Sequence, residues 1–324
     1  MPAMSLGAQR FAAAVVAAAL VFIPPMLPPY ILSLITQALI WAMLAMSLDL
    51  MLGYTGLSSL GHAAYLGLGA YSVGILTTRY GANFWVTLAV GVLLAAAVAA
   101  IFGLVALRAT AVYFLMITLA LGMVVWGLAH RWVSLTSGDN GISGVPRPRG
   151  LPWSLAGTLP FYYFVLAAFA VAFVVLWTVV RSPFGKTLVG IRESESRMRT
   201  LGYHVWLHKY IGFIIAGAVG GYAGVFWAYY NGFVSPSDAE LATSVEILLM
   251  VALGGRGTLF GPALGAFVIV LLKNLVSVYT HRWLLILGAV YIGTIVYAPE
   301  GIVGMLRDRF MARVRAPRSL VPSP

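Results

Sequence analysis

Apolar residues run along this chain in blocks of about 20, the length a helix needs to cross a bilayer. Ten blocks are legible, at roughly 11–29, 31–52, 57–78, 84–107, 111–130, 160–180, 209–230, 245–255, 258–279 and 283–304. The block at 245–255 is short for a crossing and predicts half of a broken helix. One interior stretch, residues 181–209, breaks the apolar background: RSPFGKTLVGIRESESRMRTLGYHVWLHK. Within it Phe184, Leu188, Ile191, Met198, Leu201 and Val205 recur at steps of three, four and seven, which trace one helical face. Glu195 falls in the gap of that face. Ser182 suits an N-cap, Pro183 the first helical position and Gly202 a helix stop. Glu193–Arg197 and Glu195–Arg199 are (i, i+4) pairs with the acid first, the better orientation. The pattern predicts one or two short helices with a greasy face broken by one acid. Such a helix either lies on the lipid surface or docks a cytosolic partner.

Composition narrows the class. The chain has 324 residues, 61% of them hydrophobic and 9% charged, whereas soluble proteins carry about 25% charged residues. This predicts an all-α polytopic membrane protein, residues 1–324 forming a single membrane domain. The net charge of +11 does not point to nucleic acid, because the basic residues gather in loops and in the tail at 305–324. Lys and Arg concentrate on the cytoplasmic side of membrane proteins. With residues 181–209 inside, ten crossings put both termini in the cytoplasm. Arg10, Arg108, the cations of that stretch, Arg256 and the tail arginines then lie inside. Only Arg79, Arg131, Arg147, Arg149, Lys273 and Arg282 lie outside, so the bias has the expected sign. Arg10 followed by FAAAVVAAALVFI resembles the start of a signal peptide, but no clear small-residue cleavage site precedes Pro24-Pro25, and the block is read as retained. There is no cysteine, and the five histidines are scattered along the chain without a cluster of further ligands, so neither disulfides nor a metal site is expected.

Glycine marks two interrupted segments. Between Ser47 and Leu76 lie Gly53-Tyr54-Thr55-Gly56, which would break a helix, and a loose small-xxx-small face at Gly67, Ala70 and Gly74. Leu253-Gly254-x-x-Gly257 repeats Leu52-Gly53-x-x-Gly56, and Gly261-Pro262 interrupts the next apolar run. Broken segments at corresponding places in two halves point to a transport site. Asp49, Tyr54, Thr55, Ser58, Ser59, His62, Gly257, Thr258, Gly261 and Pro262 are therefore the candidate pathway residues. Asp49 and His62 are ionisable groups beside or within spans, where function is the default reading and a cap or a packing contact the bland one. Gly217, Gly220, Gly221 and Gly224 form a close-packing stripe, serving packing within the chain, a subunit contact or a pore wall. The exterior segment at 131–158 contains TSGDNGISGVPRPRG, a turn-rich docking or lid loop around Asp139, Asn140 and Gly141. Its Asp-Asn-Gly lacks the acid series of a calcium loop. Gly185-Lys186-Thr187 imitates the end of a phosphate-binding loop, but Val180 stands where its first glycine belongs. No catalytic motif is present. An ion-driven transporter acting alone is the rival reading, and it has only Asp49, His62, Glu246 and Lys273 to work with.

Four pieces occur in order: GYTGLSSLGHAAYLGLGAY, TSGDNGISGVP, RSPFGKTLVGIRESESRMRTLGYHV and ALGGRGTLFGPALGA. From about Asp49 to Gly304 the chain resembles the LivM-type permease subunit of branched-chain amino acid ATP-binding-cassette (ABC) importers, a family that also includes urea, amide and monosaccharide permeases. The resemblance implies a fold like the ten-helix importer permeases, with some helices broken or re-entrant, in a bacterial inner (plasma) membrane. It implies as partners a second homologous permease, two cytosolic ATPases that carry ATP and Mg, and an exterior, periplasmic solute-binding protein. This chain would need no cofactor of its own. Residues 181–209 would be the ATPase-coupling segment, with Phe184, Ile191, Glu193, Glu195, Leu201 and Gly202 as its working residues. Ser196-Arg197 stand where such segments more often carry small residues, and Asp49 stands where the family often has Asn. The implied solutes are leucine, isoleucine and valine, with urea, an amide or another amino acid as the alternative.

Overall fold

The computed structural model describes residues 18–148 and 155–279, with residues 285, 286, 288, 289, 292, 293 and 301. The start of the first block, residues 149–154 of the segment at 131–158, most of the last block and the tail at 305–324 lie outside the described residues. Ten of the helices among the described residues carry the fold, beside a four-residue helical turn at Val133–Thr136. They are α1 (Pro29–Asp49), α2 (His62–Tyr80), α3 (Phe84–Ala106), α4 (Ala111–Arg131), α5 (Thr158–Arg181), α6 (Pro183–Glu193), α7 (Glu195–Thr200), α8 (Val205–Asn231), α9 (Leu241–Gly254) and α10 (Phe260–Tyr279). Six of these are long and apolar enough to cross a membrane: α1 with its extension to Tyr54, α3, α4, α5, α8 and α10. α9 has 14 residues, short of a full crossing, as its block predicts.

Helix α1 is the axis of the bundle. It touches α5, α8, α9 and α10, and from Ala38 to Asp49 every residue is buried. The hydroxyls of Thr36 and Ser47 are absorbed by carbonyls one turn back, at 2.7 Å each, so polar atoms reach the core without a penalty. α8 packs along α2 and α3, and glycine permits it. A Cβ on Gly69 would strike the carbonyl of Gly221, one on Gly224 the carbonyl of Leu66, and one on Gly217 the methyl of Ala99. The stripe on α8 therefore serves packing within the chain. The outer faces of α3, α4 and α5 expose Leu93, Ile101, Met116, Val124, Val171 and Val174, an apolar surface suited to lipid.

Three expectations change. The block at 57–78 does not become helical until His62, because α1 runs on as a π-turn through Leu50–Tyr54 and residues 55–61 stay irregular. Pro262 does not interrupt a helix: it sits in the first turn of α10, where a missing N–H costs nothing. The charged segment is broken at Ser194, which is extended at φ −163° and caps α7 by accepting from the N–H of Arg197. The Glu193–Arg197 spacing therefore spans a break and its (i, i+4) geometry is lost. Ser182 caps α6 as expected, accepting from the N–H of Gly185 at 3.3 Å. The greasy face of α6 is occupied by the protein itself, since Leu188 and Ile191 are buried in it.

At the end of the bundle remote from α6 and α7, two loops join. Strand β1 (Ile142–Ser143) pairs antiparallel with β2 (Phe233–Val234), Ile142 opposite Val234. Arg147 fastens the same loop, with its guanidinium 3.9 Å from the ring centroid of Phe161 and donating to the carbonyl of Tyr229 at 3.2 Å.

Candidate functional site

The two glycine-rich interruptions meet in space. Asp49 is the last α-helical residue of α1, just before the π-turn of Leu50–Tyr54, and is fully buried. Its Oδ1 accepts from the N–H of Gly257 at 2.8 Å. Its Oδ2 has no partner among the described residues. Gly53 lies against this contact so closely that a Cβ there would collide with both Asp49 Oδ1 and the nitrogen of Gly257. Gly257 adopts φ +73° and Gly56 φ +77°, conformations that side chains disfavour. The first glycine of one echo thus packs on the second glycine of the other.

Arg192, in the last turn of α6, closes the junction. Its guanidinium Nη1 donates to the carbonyl oxygen of Gly53. Its stem covers Gly56, where a Cβ would lie 2.9 Å from Arg192 Cγ, and a Cβ on Gly257 would lie 3.2 Å from Nη1. A charged donor on a π-turn carbonyl is a strong and directional link. One side chain of the charged segment therefore holds the ends of both interrupted helices.

The other candidate pathway residues divide between this junction and a second cluster. Tyr54 and Thr55 are buried in and just after the π-turn, and the Thr55 hydroxyl donates to the carbonyl of Met51. Thr258 closes the turn into α10, its Oγ1 donating to Gly255 O at 3.1 Å and accepting from Gly261 N at 3.2 Å. Gly261 and Pro262 are buried there, the Gly261 carbonyl pressed on Gly254. Ser58 is half-buried, and buried Ser59 accepts from Gly61 N at 3.3 Å. His62 sits apart with Ser47, Nε2 to Oγ 2.7 Å. The Ser47 proton goes to Leu44 O, so the imidazole donates through Nε2. The edge of Tyr65 packs on its ring at 5.4 Å. His62 is a packed, hydrogen-bonded core group in this arrangement.

The residues of the charged segment face three ways. Ile191 is buried, Phe184 stacks on His208 with ring centroids 5.7 Å apart, and Glu193 is exposed. Glu195 forms an ion pair with Lys209 at the foot of α8 and a longer one with Arg199 at 3.6 Å. Leu201 is 65% exposed. Gly202 takes φ +86° with nothing within 4 Å of a Cβ there, so it ends α7 and leaves open space. Beyond it Tyr203, Trp206 and Leu207 are exposed and, with Arg199 and His204, line an open groove. At the other end, Asp139 pairs with His130 Nδ1 at 2.6 Å and Asn140 is exposed. Gly141 takes φ +62°, and a Cβ there would strike the carbonyl of Val234. Sequence reasoning missed Arg192 and Lys209, and named Gly53 without placing it among the candidate pathway residues. The glycine echo pointed at Gly53, whereas nothing in a basic loop distinguishes one arginine from the rest.

Residues 30–295 match the family described as branched-chain amino acid transport system, permease component. The chain is 30% identical over 297 residues to the high-affinity branched-chain amino acid transport system permease protein LivM of Escherichia coli strain K12, covering 85% of this chain and 70% of that one. LivM of Salmonella typhimurium is 29% identical over the same length, with the same coverage of both chains. The autoinducer 2 import system permease protein LsrC of Enterobacter sp. strain 638 is 27% identical over 303 residues, covering 88% of this chain and 79% of that one. No solved structure matches.

Proposed function

This chain belongs to the family of branched-chain amino acid transport system permease components, and from that premise we propose that it forms half of the translocation path of an ABC importer for leucine, isoleucine and valine. A second homologous permease supplies the other half. Two cytosolic ATPases hold ATP and Mg, and an exterior solute-binding protein delivers the solute. The chain itself is not an enzyme; hydrolysis belongs to the ATPase subunits.

One observation carries the coupling part of this reading: Arg192 of the charged segment donates to Gly53 at the junction of the two interrupted helices. A permease must turn a push at its cytoplasmic face into a change at its path. Here α6 is packed into the bundle through Leu188 and Ile191 while α7 and the turn beyond it stay exposed. An ATPase seated on the exposed side, at Glu193, Leu201, Gly202 and the Tyr203–Leu207 groove, moves α6 as a lever. Arg192 passes that movement to Gly53 and Gly257, and the path opens or closes where Asp49 grips Gly257. The opposite platform of β1, β2 and the Asp139–Gly141 turn receives the binding protein.

The test is a mild-detergent pull-down from the native membrane, with the co-purifying proteins identified by mass, then uptake in vesicles. Two ATPases, a second permease and ATP-dependent L-leucine uptake support the reading. A chain that arrives alone and works on an ion gradient overturns it. The likeness to LsrC favours one further assay, with autoinducer 2 as solute; uptake of that compound in place of leucine would reassign the solute and leave the coupling intact.

A further inference from the structure

We propose that Glu246 of α9 and Lys273 of α10 form the site that receives the charged ends of a zwitterionic amino acid, an inference that rests on the amino-acid solute argued above. Lys273 Nζ lies 3.1 Å from Glu246 Oε1 and 3.0 Å from Oε2. Glu246 is 6% exposed, and the side chain of Lys273 is 29% exposed. Both lie away from the gap between their helices. At 1.5 Å per residue, Glu246 is about 12 Å along α9 from Gly254 and Lys273 about 20 Å along α10 from Phe260. The pair is therefore well separated from the Asp49 junction, toward the platform end.

An ion pair between apolar helices gains little over well-packed hydrophobic residues, and ionisable residues within spans mark solute or ion paths by default. Two further observations place this pair on such a path. Lys273 reaches the surface of the chain between Leu271 and Leu275, both more than half exposed. An ammonium at that position is costly against hydrocarbon, so this face borders water or a polar partner surface. Beside it, Lys273 Nζ lies 5.9 Å from the ring centroid of Trp41. Trp41 is 5% exposed, and its indole N–H has no acceptor among the described residues.

The chemistry selects the ligand class. An α-amino acid carries an ammonium and a carboxylate on adjacent atoms. On entry its ammonium takes Glu246 and its carboxylate takes Lys273, so no charge is left unpaired at any stage. An apolar side chain then lies on the Trp41 ring. Urea or a sugar offers neither charge and leaves the Glu246–Lys273 pair closed. Contacts link the site to the loop between β2 and α9: Trp41 packs edge-on against Trp227 at 5.4 Å, and Trp227 Nε1 donates to Asp238 Oδ1 at 2.7 Å in that loop.

The experiment uses the complete importer in vesicles with its binding protein and radiolabelled L-leucine. Glu246→Gln and Lys273→Met each raise the KM for uptake at least tenfold and leave solute-free ATP hydrolysis within twofold of wild type. The double variant Glu246→Gln/Lys273→Met leaves no unpaired charge, so it tests the proposal even where a single variant fails to assemble. If the pair binds solute, the double variant keeps the raised KM. If the double variant returns to the wild-type KM, the pair is structural and the inference falls. A wild-type importer that takes up no L-leucine overturns the solute reading itself, which is a separate result.

Discussion

Arg192 donates to the carbonyl of Gly53 across 139 positions of chain, joining a segment outside the apolar blocks to the interrupted end of the most buried helix. Removing one partner of a hydrogen bond to a charged group costs on the order of 1.5–3 kcal/mol. Arg192→Ala therefore leaves the bundle folded and weakens the transmission. The expected outcome is a fall of about tenfold or more in leucine transported per ATP hydrolysed, read from paired uptake and phosphate-release assays. An unchanged ratio would show that the link carries no coupling.

Gly53→Ala and Gly127→Ala make opposite use of one methyl group. At Gly53 it meets Asp49 and the Gly257 backbone, whereas at Gly127 nothing lies within 4 Å. Gly53→Ala is expected to lower the thermal unfolding temperature of the purified permease and to abolish uptake. Gly127→Ala, within α4, is neutral or stabilising by up to about 1 kcal/mol through helix propensity. Equal behaviour of the two variants would contradict the close approach of the interrupted segments.

The side chain of Lys209 is 9% exposed and that of Glu195 is 38% exposed. Glu195→Lys places two cations together and strands the buried one, so the variant loses the docking of α7 on α8 and with it coupled transport. Glu195→Lys combined with Lys209→Glu restores the pair in reverse and recovers much of the lost uptake. Failure of the reversal, with a properly assembled complex, would mean that Glu195 acts on an ATPase and not on Lys209.

The platform end gives a binding prediction. Replacing residues 136–150 by a short Gly/Ser linker removes β1 and the Asp139–Gly141 turn together. Affinity of the purified permease complex for its binding protein is expected to fall at least tenfold in a surface-capture measurement, with ATPase association unaffected. Unaltered affinity would remove this loop from the docking surface.

Burial holds the Asp238 carboxyl above its ordinary range, outweighing the hydrogen bonds from the Ser235 N–H and the Trp227 indole. The folded protein keeps this proton to a higher pH than the unfolded chain does. The stability it contributes is present at acid pH and is lost as pH rises from the ordinary aspartate value of about 3.9 toward the raised one. Asp238→Asn keeps an acceptor for Trp227 and flattens that slope. Melting temperatures of both proteins between pH 4 and 7 decide the matter.

Much of the architecture was legible before the structure. The apolar blocks, the Ser182 cap, the Gly202 stop and the short α9 come from local rules, because each depends on neighbours a few residues away. The paired Leu-Gly-x-x-Gly segments announced themselves as special, yet their direct contact is a tertiary fact that no local rule supplies. Arg192 was hidden by its company: in a basic loop, every arginine is equally explained by membrane orientation. Glu195 read as a working residue of an ATPase-coupling segment, and its ion pair with Lys209 joins residues on either side of the turn between α7 and α8, which no local rule supplies. Pro262 misled because proline signals both an interruption and a first turn, and only the helix phase separates them.

The ladder between β1 and β2 sets an order of manufacture. Ile142 emerges from the ribosome long before its partner Val234. The 136–148 loop therefore has no strand partner until α8 and its trailing residues have been made. A nascent chain arrested anywhere between Ser143 and Phe233 has at least α1, α3 and α4 made and an unpaired strand edge. The platform is thus a receipt for completed insertion: only a chain whose α8 has arrived in the correct sense can close it.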